Sequence, residues 1–88
     1  MAATNGVRPV FVKNQDLPIA SERQYTTTEI CRACERVENV RMVGAQRIGS
    51  LWRLYPSTEE GRANLLTCGF DLQGLGHVSP ASENPFTM

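Results

Sequence analysis

The sequence predicts one small α+β domain in the chain order strand, helix, strand, strand, helix, strand. Three observations predict it. Two hydroxyl residues, Thr26 and Ser57, each stand three positions before a glutamate and open a run of apolar residues at helical spacing. Between those runs lie two extended stretches separated by a glycine turn, and ahead of the first lies a β-branched and aromatic strand. With 88 residues and 41% hydrophobic content, the chain suffices for one modest core that buries roughly 60% of the unfolded surface.

Residues 1–7 are polar and read as a disordered lead, and residues 8–79 as the domain. Val10-Phe11-Val12 gives the first strand. Asn14 to Tyr25, with Asp16, Pro18 and Ser21, reads as a loop longer than usual. Thr26 and Glu29 form a capping box, and Ile30, Ala33, Cys34 and Val37 set one apolar stripe, so a helix runs from about Thr27 to Val37. Val40 to Pro56 reads as a hairpin. Val43 and Ala45 alternate with polar neighbours, Ile48-Gly49-Ser50 turns, and Leu51 to Tyr55 resumes an extended pattern. Ser57 with Glu60 opens the second helix, Ala63, Leu66 and Phe70 supply its stripe, and Gly69 suits its C-terminus. A last strand is expected near Leu75 to Ser79, weakened by Gly74 and Gly76, and residues 80–88 read as a flexible tail. This order predicts the ferredoxin-like βαββαβ arrangement: a four-stranded antiparallel sheet with both helices on one face and the other face open.

The open face is where binding is expected. Alternation along the third strand sends Trp52 and Leu54 inward and Leu51, Arg53 and Tyr55 outward, because the opposite register buries Arg53 without a partner. On the first strand Val10 and Val12 go inward, leaving Phe11 and Lys13 outside. Phe11, Lys13, Arg53 and Tyr55 on one sheet face suit single-stranded RNA, with bases stacking on the rings and the cations taking phosphates; Arg47, near the hairpin turn, extends the basic stripe. Nine basic residues are balanced by nine acidic ones, so affinity for nucleic acid must come from charge gathered on one face, or be weak. The alternative is a protein-interaction or self-association module using Leu51, Tyr55 and Phe11 as an apolar surface.

Val10-Phe11-Val12-Lys13-Asn14 resembles the hexamer motif of the RNA-recognition-motif family (aliphatic, aromatic, aliphatic, any, Asn, Leu), with Gln15 in the final place. That resemblance implies that Phe11 is the stacking ring. A wider likeness joins Thr27-Thr28-Glu29-Ile30-Cys31, Gly44-Ala45-Gln46-Arg47-Ile48, Leu51-Trp52-Arg53-Leu54-Tyr55-Pro56 and Asn84-Pro85-Phe86. In that order they resemble the N-terminal segment of gag-like, first-reading-frame proteins of LINE-type retrotransposons. Such proteins bind the element's own RNA, so the resemblance implies an RNA-binding, non-catalytic role. The family's octamer motif departs here: Leu51 and Arg53 stand at its two exposed aromatic places, and Tyr55 lies further along.

The remaining motifs have simpler readings. Cys31-x-x-Cys34, with Cys68 and His77, offers metal-ligand residue types, but both members of the pair fall inside the helix rather than at its N-terminus, and Cys34 lies on the apolar stripe. Glu59-Glu60 open a helix, where they complement its dipole. Gly74-x-Gly76 lacks the following helix of a phosphate loop. Asn84-Pro85-Phe86 is also the tripeptide that endocytic EH domains recognise. No catalytic constellation, cofactor or metal is expected. Three cysteines, an odd number, and the absence of a long apolar run point to a cytoplasmic or nuclear protein without a membrane span.

Overall fold

The computed structural model describes residues 6–86 and has the α+β class expected. The expected lead lies outside the described residues apart from Gly6 and Val7. β1 (Val10–Lys13) runs into a short 3-10 turn at Asn14–Asp16, and α1 (Thr27–Cys34) follows the loop. Next come β2 (Met42–Ile48), β3 (Leu51–Pro56), α2 (Glu59–Cys68) and two short strands, β4 (Phe70–Asp71) and β5 (His77–Val78).

The sheet differs from expectation. Three strands form one antiparallel sheet in the order β1-β3-β2, while β4 and β5 pair only with each other. The predicted fourth strand does not form. Its residues, His77 and Val78, fold back on Asp71 and Phe70 instead, and the chain reaches the free edge of β1 only at Ala81, as a single antiparallel bridge to Phe11. The physical cause is local. Gly69 has φ 69°, and a Cβ there would stand 2.4 Å from the Val78 carbonyl oxygen, so a glycine lets the two short strands close tightly behind α2.

Both helix starts follow capping chemistry. The Thr26 hydroxyl accepts from the Glu29 N–H at 3.1 Å and the Glu29 carboxylate accepts from the Thr26 N–H at 2.9 Å. α1 ends at Cys34, earlier than expected, and Val37 packs against the core from the loop that follows. α2 is capped by Thr58, not Ser57: its hydroxyl accepts from Gly61 N–H at 2.9 Å. The buried positions of α2 are Gly61 and Leu65 rather than the expected Ala63, and Phe70 belongs to β4.

Between β2 and β3 the hairpin closes through Gly49-Ser50, with Ile48 opposite Leu51 and Gly49 at φ 61°, the position a type II′ turn gives to glycine. A bulge between Met42 and Gly44 shifts the β2 register. Met42 and Ala45 therefore both pack against the core, and Val43, which alternation places on the same side as Ala45, is 74% exposed. The core cluster joins Val10, Val12, Trp52 and Leu54 from the sheet to Ile30, Ala33 and Cys34 of α1 and Leu65 of α2, so both helices cover the same sheet face. Among the described residues no helix is long and apolar enough to cross a membrane.

Candidate nucleic-acid interface

Trp52 fixes the orientation of the site. It is 2% exposed, beneath the sheet, and its indole N–H donates to Asn14 Oδ1 at 3.1 Å. Asn14 can reach it because the chain turns tightly at the end of β1. With Trp52 and Leu54 buried on the helix side, the residues between and beside them face the other way, as alternation requires. Strand register then sets two cross-strand rows on the uncovered side: Lys13–Leu51–Ile48 and Phe11–Arg53–Gln46. Tyr55 follows opposite Gly44, where a missing side chain leaves open space at its flank.

Phe11 and Arg53 are the centre of this surface. The Phe11 backbone N–H and C=O are both used by Ala81, at 2.9 and 2.8 Å, so they point away from β3. Phe11 and Arg53 are thus a pair without ladder hydrogen bonds, the type in which the two Cα atoms approach to about 4.5 Å and side chains lie close. Both are half-buried. Arg53 Nε is buried and has no hydrogen-bond partner among the described residues. An unmade bond on a buried donor costs about 1–3 kcal/mol, which a shift of the Arg53 side chain toward an acceptor would relieve. The Tyr55 hydroxyl donates to Gln46 Oε1 at 3.3 Å, keeping its ring on the same side.

Four of the five expected contact residues share one face: Phe11, Lys13, Arg53 and Tyr55. Arg47 does not. It lies opposite Trp52, on the helix side of β2, and its Nε–H donates to the Gly49 carbonyl at 2.9 Å. Period-two alternation separates it from Arg53 although both lie near the hairpin. Leu51 sits on the uncovered side beside Lys13 yet is only 6% exposed, so it offers little of the apolar surface expected of it. One contact was hidden from sequence reasoning: the Lys13 ammonium lies over the ring of Phe86, 5.4 Å from its centroid. Nothing local in the sequence signals that the C-terminal segment returns to β1.

The other chemistry-bearing groups are structural in setting. Cys34 is fully buried, and burial above all, with Cys31 and Glu35 adding, pushes its thiol up to about 12. Burial likewise raises Cys31. Thiols held protonated at neutral pH are poor nucleophiles and ligands. His77 Nδ1 meets Asp71 Oδ1 at 2.6 Å across the β4–β5 hairpin, with both side chains largely exposed. Glu29 lies below its ordinary range because the Thr26 N–H and the Arg23 guanidinium stabilise its charged form. Comparison of the chain with protein-family models, with curated proteins and with solved structures finds no match in any of the three.

Proposed function

We propose that this chain is a non-catalytic module that binds single-stranded RNA on the sheet face opposite its helices. In this reading it is a reduced ferredoxin-like domain of the RNA-recognition-motif type, resembling the N-terminal segment of retroelement gag-like proteins. Phe11 and Tyr55 stack bases, and Lys13 and Arg53 take phosphate. The observation that carries the reading is the Phe11–Arg53 pair: an aromatic ring beside a half-buried guanidinium whose Nε–H has no partner among the described residues. A base on the ring and an acceptor at the guanidinium would answer both. Two cations are few, so the affinity is low and the strand is held mainly by stacking. Tyr55 and Phe11 also fit a protein partner, whose carboxylates would serve Arg53 as well as a phosphate does, and the titration below separates the two readings.

The test is a titration of labelled single-stranded RNA at several salt concentrations. With two phosphate contacts, log K should fall against log salt with a slope of about −1.4, and Arg53→Gln should reduce that slope by about 0.7. Phe11→Ala should weaken binding about 5- to 150-fold with the fold intact. Binding untouched by both substitutions removes the proposed surface.

A further inference from the structure

The sheet face opposite the helices is already visited by the chain's own C-terminal segment. Ala81 exchanges both backbone hydrogen bonds with Phe11, and from α2 the Arg62 guanidinium donates to Arg8 O at 3.1 Å and Ser82 O at 3.2 Å. A straight antiparallel continuation from the Phe11–Ala81 pair would carry residue 86 alongside residue 6. The chain reverses instead. Asn84 Oδ1 accepts from the Phe86 N–H at 2.8 Å, closing an Asx turn around Pro85, and the Phe86 ring comes to Lys13. Leu51, the cross-strand neighbour of Lys13, is 6% exposed although it lies outside the helix-side core cluster.

We infer that residues 81–86 form an intramolecular competitor for the nucleic-acid face, in which Phe86 occupies the cation that a phosphate would otherwise take. The inference rests on the RNA reading above. Lys13 carries one ammonium, and the ring and a phosphate draw it to different places. Phe86 is itself 47% exposed, so it leaves at small cost, while the Ala81 bridge and the Arg62 anchor keep the segment near for return. An exposed cation–π contact of this kind corresponds to an about two- to fivefold effect on binding. The segment thus sets a threshold on affinity and does not block the face outright.

The test compares the unaltered chain with Phe86→Ala by fluorescence anisotropy on a labelled eight-nucleotide oligouridylate at low salt, and repeats the comparison with Lys13→Gln in both. Phe86→Ala should tighten binding about two- to fivefold, and Lys13→Gln should abolish the difference. Unchanged or weaker binding by Phe86→Ala overturns the competitor while leaving the RNA reading in place. Absence of binding by either form removes the RNA reading and the competitor with it. Without RNA, the amide NMR signals of Lys13 and Leu51 should shift on Phe86→Ala; if they do not move, the ring is not seated there and the inference fails.

Discussion

Single side chains here do work that their residue type alone does not reveal. Asn14, read from the sequence as one place in a strand motif, accepts the indole N–H of the only tryptophan. Asn14→Ala should leave that donor without its partner and cost about 1–3 kcal/mol, read by denaturation followed through Trp52 fluorescence. A cost within 0.3 kcal/mol would show that water replaces Asn14 freely. Cys34 makes a second case. Its thiol holds its proton up to about 12 when folded, against 9.0 as the ordinary value, so above about pH 9 the folded chain binds more protons than the unfolded one. Stability from this group is therefore complete below pH 9 and declines as pH rises toward 12. Denaturant midpoints measured from pH 7 to 11 should fall at the alkaline end, and Cys34→Ala should flatten that fall while costing on the order of 1–2 kcal/mol at pH 7. An identical alkaline profile in the variant would mean that Cys34 is not its source.

Elements show where sequence patterns hold and where they slip. The capping box at Thr26 and Glu29 was legible because it is local: both partners lie within one turn. The start of α2 was misplaced by one residue, since Ser57 and Thr58 both offer a hydroxyl and only the backbone decides which one accepts from the helix. β2 is the clearest failure of alternation. Val43 and Ala45 alternate with polar neighbours as if they shared a face, but the bulge puts Ala45 against the core and Val43 in solvent. Val43→Lys should accordingly change stability by no more than about 0.5 kcal/mol, whereas Ala45→Lys should destabilise by about 2 kcal/mol or more. Equal costs at the two positions, measured by urea denaturation, would argue that the strand runs without a bulge.

For the molecule as a whole, the decisive feature is the unfinished sheet. β1 has β3 on one side and, on the other, a single bridge from Ala81 where a fourth strand was expected. The Phe11 amide is bonded to that segment alone, so its hydrogen exchange reports on the tail and not on the sheet. It should be protected in the intact chain and should exchange far faster after removal of residues 80–88, while the amides joining β2 to β3 keep their protection. A Phe11 amide that exchanges freely in the intact chain would mean that the segment spends its time elsewhere. The same edge bears on function, because what lies beside Phe11 also lies beside the surface offered to a ligand.

The sequence by itself determined the start of α1, the hairpin turn at Gly49 and the inward set Val10, Val12, Trp52 and Leu54. Each follows from neighbours a few residues apart, where capping, turn geometry and period-two alternation act directly. Only the tertiary structure decided that His77 and Val78 pair with β4, that Arg47 faces away from Arg53 across a bulged strand, and that Phe86 returns to Lys13. The return of Phe86 joins residues far apart in the chain, while the other two turn on which of several nearby pairings of similar local quality the packing selects. The candidate surface was legible because it sits on the strands that obey alternation, and its occupant was not because it arrives from the other end of the chain.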